Sequence, residues 1–236
     1  MKHTFALLLA SCSLLLASCD EGRIPEKSYT NSEKGRVAKL EADIEGTNTW
    51  NSNYSIVFAG FADDNEYSQI AKNIKPDANG HVSLELAGIP ENVTQLEICV
   101  INSIRERVAT LYTADAPSTS DTIRVTPTDK VSLSMYDYLQ NSVFDKQCSH
   151  CHSGSDWAAS LNLNKGKSYA DLVGKASLKV EGKDRVTSGN ADNSVLYEVL
   201  SSGLSADWKY DHSKIMVTDA ANLKLIKEWI NSGAKE

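Results

Sequence analysis

The chain has 236 residues, of which 41% are hydrophobic and 23% charged, enough to bury one large core or two modest ones. Its 24 Lys and Arg stand against 31 Asp and Glu, a net charge of −7. No basic patch is available to neutralise phosphates, which argues against nucleic acid as a partner.

The first segment reads as a leader. Lys2 and His3 form a short basic region, and Phe5 to Leu16 is apolar apart from Ser11, Cys12 and Ser13. That run is too short to span a bilayer. It ends in Leu16-Ala17-Ser18-Cys19, which resembles the lipobox of bacterial lipoproteins. The resemblance implies a signal peptide over residues 1–18, with Cys19 the lipidated first residue of the mature chain. "LLLASC" also ends at Cys12, but cleavage there would leave only Phe5 to Leu9 as the apolar core. The plainer alternative is a secretory leader cut nearby, with Cys19 lost or free. Several acyl chains would anchor the protein stably to a lipid bilayer. The expected location is therefore extracytoplasmic, on the periplasmic face of a membrane or at the outer membrane or cell surface. Only Cys99, Cys148 and Cys151 then remain, which does not describe a disulfide scaffold.

Residues 19–35 are polar and aperiodic, as expected of a flexible tether. From 36 to 135 the pattern is strand after strand. "VAKLEADIEG", "YSIVFAGF", "HVSLELAGI", "QLEICVIN", "RVATLYTA", "DTIRVTP" and "KVSLSMY" are short and mostly alternating. Turn signals separate them at Asp77-Ala78-Asn79-Gly80, Gly88-Ile89-Pro90-Glu91 and Ala116-Pro117-Ser118. This predicts an all-β antiparallel sandwich, immunoglobulin-like in outline. His81 and Trp50 stand alone in it and read as structural. Cys99 falls out of phase with Leu96, Ile98 and Val100, as a small half-buried residue would.

After 136 the period becomes helical, predicting a second, all-α domain over residues 136–236. "YDYLQNSVFDKQCSHCH" places Tyr136, Leu139 and Val143 on adjoining faces. "NSVLYEVLSSG" predicts a second helix with Asp192 or Asn193 as cap and Gly203 as stop. "TDAANLKLIKEWINSGA" predicts a third, capped by Thr218, with Asp219 suiting its positive end and Gly233 closing it.

The chemistry-bearing motif is Cys148-Ser149-His150-Cys151-His152. Two thiols three residues apart can add to the two vinyl groups of one haem, and the next histidine then reaches the iron. The assignment would make Cys148 and Cys151 thioether tethers and His152 the proximal ligand, with His150 a spacer. A zinc site built from Cys148, Cys151, His152 and His212 is a competing reading, though one CxxC without a second compact ligand pair is a poor zinc signature. A redox dithiol is another, but the expected flanks lack the parallel-strand context. Downstream, only Met216 and His212 offer a second iron-ligating side chain.

The stretch "HSKIMVTDAANLKLIKEWINSGA" is similar to the end of small c-type cytochromes, especially the planctomycete-type monohaem cytochrome c domain. Further matching pieces are Leu161-Asn162-Leu163, Ser188-Gly189, Ser194-Val195-Leu196 and Trp229-Ile230-Asn231-Ser232-Gly233-Ala234. The similarity covers residues from about 140 to 236. Val217 stands where that family has proline, and Ser188 replaces the proline before Gly189. The resemblance implies one covalent haem c, an all-α cytochrome c-like fold and Met216 as distal ligand, since thioether ligation suits an electron carrier. His212, in the polar "WKYDHSK" loop, reads as a surface residue. Phe144 and Trp229 are expected to meet where the first and last helices cross. Leu161, Leu163, Leu172, Val186 and Leu196 are candidates for the pocket wall, with ordinary core as the equal alternative. Arg185 reads as a propionate partner or a solvated surface residue.

The expected function is one-electron transfer in the cell envelope by a membrane-anchored c-type cytochrome, with a redox protein as partner and no catalytic residues of its own. Two alternatives stand beside it. One is an envelope adhesion or scaffold lipoprotein whose haem domain is sensory or structural. The other is an electron-transfer subunit of a larger oxidoreductase.

Overall fold

The computed structural model describes residues 35–153, 158–217 and 219–236. The expected leader, Cys19 and the tether lie outside them, as does the expected Thr218 cap.

Eight strands form two four-stranded sheets. They are β1 (Arg36–Glu45), β2 (Tyr54–Ala62), β3 (Ile70–Asn73), β4 (His81–Ile89), β5 (Val93–Asn102), β6 (Arg107–Asp115), β7 (Thr122–Val125) and β8 (Val131–Ser132). One sheet runs β4-β1-β7 with β8 also on β1, and the other runs β3-β2-β5-β6. Period-two alternation explains the layering. Leu40, Ala42 and Ile44 of β1 face Phe58 of β2 and Leu96 and Ile98 of β5 in one apolar core. The β domain expected from the sequence is present, but it is not purely antiparallel. β7 and β8 both run parallel to β1, pairing Val37 with Thr122 and Ile44 with Val131. The sequence reading passes over β3, whose four residues carry no clear alternation.

The second sheet is also apolar on its outer face, where Val57, Ala59, Phe61, Cys99 and Ile101 cluster. Cys99 is therefore fully buried rather than half-buried, and burial pushes its thiol far above the usual range. On the same strand Glu97 is held by Arg107 Nη1 at 2.5 Å and by the Thr110 hydroxyl at 2.9 Å. A buried carboxylate needs this pairing to offset its lost hydration.

The expectation of an all-α C-terminal domain is overturned. Its α-helices are short: α1 (Met135–Leu139), α2 (Ser168–Leu172), α3 (Val195–Ser201) and α4 (Ala220–Asn231). Only α4 exceeds two turns. Between α2 and α3 the chain makes a hairpin-like excursion, with Arg185 N–H on the Lys175 carbonyl and Ser177 N–H on that of Lys183. The polar stretch "GKASLKVEGKDR" has no apolar stripe with which to dock a helix, so turns and isolated bridges take its place. α3 is bounded by Ser194 and Ser202, both extended, and not by an Asp192 or Asn193 cap. Asn190 instead caps the short turn Ala191–Asn193.

These short elements still share a core of their own, with Leu139, Phe144, Leu172, Leu196, Ile226 and Trp229 inside it. Phe144 and Trp229 are both buried, and each meets Tyr136, at 6.2 Å and 5.2 Å between ring centres. Tyr136 is thus the ring through which the first and last helices join. The β1–β2 loop reaches this second core. Trp50 and Tyr54 pack against it, and Asn51 Nδ2 lies 3.4 Å from the Glu228 carboxylate on α4. Gly46 is required at the end of β1, because a Cβ there would sit 2.7 Å from the backbone nitrogen of Ser134, the cap of α1.

Candidate cofactor-binding site

The helix that delivers the motif changes its winding on the way. Ser134 opens α1 by accepting the N–H groups of Tyr136 and Asp137, a standard cap. From Gln140 to Cys148 the turn widens to a π-helix, with Ser149 N–H bonded five residues back to the Phe144 carbonyl at 2.8 Å. Such winding is usually confined to one turn and recurs at functional sites. Gln140 is buried at its start and donates to the Leu163 carbonyl and the Asp145 carboxylate. The widened turn leaves Cys148 half-buried against the apolar core and Cys151 exposed.

The motif itself is one tight turn. The N–H groups of Cys151 and His152 both bond the Cys148 carbonyl at 3.1 Å. Burial pushes the Cys148 thiol up to about 12. That is the opposite of the lowered value that makes a nucleophilic redox dithiol.

His152 is aimed by the segment that follows. Its Nδ1 lies 3.1 Å from the Ala158 carbonyl oxygen. A carbonyl can only accept, so Nδ1 donates in this contact. Metal-ligating histidines are oriented in this way. The His152 carbonyl takes the Leu163 N–H at 2.6 Å, and Ser153 pairs with Asn162. The expected Leu161-Asn162-Leu163 segment therefore lies beside the motif, with Leu163 buried and Leu161 half-buried. Leu172, Val186 and Leu196 are buried in the same core.

Arg185 has a role that the sequence reading misses. Its guanidinium donates to the carbonyls of Asp171 at 2.8 Å, Ala159 at 2.9 Å and Ser160 at 3.3 Å. Ala159 and Ser160 both adopt left-handed backbone, at φ 58° and 49°, a strained conformation for residues with a Cβ. Arg185 thus pins the turn whose neighbouring carbonyl orients His152. Nothing in a lone arginine within a lysine-rich stretch signals this.

His212 is brought to the site. Its ring centre lies 6.1 Å from that of His152, with the planes at 35°. Trp208 and Tyr210 stand edge-on to it at 6.1 Å and 5.4 Å. Its backbone N–H bonds the hydroxyl of the buried Ser205 at 2.8 Å. Burial lowers its proton affinity, and burial followed by the charge of His212 lowers that of His152. The aromatic residues two and four positions before His212 were the signal that this loop is not plain surface. Met216, four residues on, is 2% exposed and belongs to the apolar core. Exposed Val217 follows it.

Among the described residues, no group of three or more His, Cys, Asp or Glu side chains is arranged to hold a bare metal ion. Cys148, Cys151 and His152 share one turn and His212 lies beside His152, but the four do not form a closed zinc cage, whose donors would have to converge on one point. Among the described residues no helix is long and apolar enough to cross a membrane. No protein-family model, curated protein or solved structure matches the chain.

Proposed function

We propose that the chain carries one covalent haem c, held by Cys148 and Cys151 with His152 as proximal iron ligand, and that it passes single electrons in the cell envelope. Acylated Cys19 would anchor it to a membrane. The observation that carries this reading is the contact that orients the His152 ring. Its Nδ1 lies 3.1 Å from the Ala158 carbonyl, and the residue belongs to the same turn as both thiols.

The residues present fit the group. Two thiols, one exposed and one half-buried, would supply two tethers, and Leu161 and Leu163, beside the motif, would supply apolar wall. The haem would supply one-electron chemistry at iron. The chain would fix the ligand through the Ala158 carbonyl. The 212–216 segment carries both candidates for the second ligand, His212 and Met216. Ser188 and Gly189 dock on the end of α4, through the Gly233 and Ile230 carbonyls, so these two segments meet in space. The reading rests on this local arrangement and needs no all-α domain.

Maturation of the full chain in a host with haem-ligating machinery tests it. The expected result is a pyridine haemochrome of the thioether type, with reversible reduction, lost when Cys148 and Cys151 are both replaced by Ala. Protein that emerges without covalent haem overturns it.

A further inference from the structure

We propose that His212, and not Met216, is the second axial ligand, so that the iron is held between two imidazoles. The inference rests on the covalent-haem reading above and specifies its coordination.

Three observations converge on His212. First, its ring centre is 6.1 Å from that of His152. Two metal–imidazole bonds of about 2 Å, plus about 1 Å from each nitrogen to its ring centre, span about 6 Å. Two imidazoles joined by one metal ion therefore require the separation found here. The 35° between the planes is no obstacle, because each ring can rotate about its own bond to the metal.

Second, His212 has an unmet polar demand. Its Nδ1 is buried and has no hydrogen-bond partner. Leaving such an atom unpaired costs on the order of 1–3 kcal/mol. His152 cannot relieve it by donating, since its own proton is engaged at Ala158. Ligation through Nδ1 would give that atom the partner it lacks.

Third, the ring is held rather than loose. Asp211 caps the short turn His212–Lys214 by accepting the Ser213 N–H, Ser205 takes the His212 N–H, and Trp208 and Tyr210 flank the imidazole. Ligands fixed from outside in this way are what a coordination site requires. Met216 lacks these features. It is buried among the apolar side chains of the core.

The test uses the full chain matured with haem, and reads ligation by absorption, magnetic circular dichroism and electron paramagnetic resonance of the oxidised protein. The expected result is a low-spin iron without the far-red thioether-to-iron band. Met216→Leu should leave these spectra unchanged. His212→Ala should lose the low-spin signature, and added imidazole should restore it. His212→Met provides a second variant, expected to gain the far-red band. A far-red band in the unaltered protein that vanishes in Met216→Leu overturns the inference while leaving the covalent haem intact. So does an unchanged low-spin spectrum in His212→Ala. Stoichiometric zinc in place of haem overturns both this inference and the reading beneath it.

Discussion

Trp50 donates its indole N–H to the carbonyl of Leu133 at 2.6 Å. This bond fastens the β1–β2 loop to the residue that precedes the α1 cap. The same ring lies 5.7 Å from Tyr54 and 6.4 Å from Tyr138, so a strand-side tryptophan joins the strand-rich half to the core of the other. Thr49 adds to the joint by accepting the Met135 N–H at 2.9 Å. Trp50→Phe should keep most of the packing and lose the hydrogen bond, about 1 kcal/mol. The urea midpoint should fall with an unchanged slope and a single transition. Two separate transitions in the variant would show that Trp50 couples the halves, and an unchanged midpoint would show that the bond contributes nothing.

Arg185 should matter through the loop it pins. Its three carbonyl partners hold a left-handed turn beside the residue that orients His152. Arg185→Ala should destabilise the protein by about 1.5–3 kcal/mol, the range for charged hydrogen bonds. The more specific readout is local. The Leu163 amide, bonded to the His152 carbonyl, should exchange with deuterium faster than amides of β1 or β5. Arg185→Lys should restore only part of the protection, because an ammonium cannot reproduce the planar fork. Unchanged Leu163 exchange in Arg185→Ala would rule out the pinning role.

His81 gives the β half a pH dependence with a definite sign. Its Nδ1 lies 2.9 Å from the Asp43 carboxylate and its Nε2 3.2 Å from that of Glu41. The Asp43 hydrogen bond, and then Glu41, hold its pKa above the ordinary 6.5. Asp77 also faces it, accepting the backbone N–H groups of His81 and Asn79, which hold that carboxylate below its usual range. The His81 contribution is complete below the ordinary value and disappears as pH rises through the raised one. Thermal midpoints measured from about pH 5.5 to about pH 9 should therefore decline in the upper half of the range. In His81→Gln that decline should flatten. Parallel profiles for the two proteins would show that His81 is not its source.

The strands were legible because a half-buried sheet forces alternation, and seven segments read that way overlap β1, β2 and β4 to β8. What alternation does not encode is direction. A strand's pattern is the same whether its neighbour runs parallel or antiparallel, so the pairing of β7 and β8 with β1 was hidden. The helical half was misjudged for a different reason. Apolar spacing over Tyr136, Leu139 and Val143 fits one face of a helix, but it does not report the widening of the turn after Gln140. It also does not predict how short the docked helices are, which tertiary packing decides. At the site, the two thiols and His152 were visible as a motif. The Ala158 carbonyl, the Arg185 fork and the approach of His212 depend on chain crossings that no local pattern carries.

The last helix meets the motif-bearing segment through a carboxylate. Asp219 caps α4 by accepting the Asn222 N–H at 3.2 Å, and its second oxygen takes Gln147 Nε2 at 3.3 Å and Asn222 Nδ2 at 2.9 Å. Gln147 immediately precedes Cys148, so one residue both starts α4 and tethers the π-helical segment. Removal of a cap alone costs about 0.5–2 kcal/mol, and the lost Gln147 bond adds to it. Asp219→Ala should therefore destabilise more than Gln147→Ala, and the double variant should show coupling, because the two side chains share a contact. Asp219→Asn keeps a capping oxygen and should recover most of the loss. Chemical denaturation of the four proteins measures the cycle. Strict additivity would mean that Asp219 acts as a cap only and that the two segments are held together by their apolar faces.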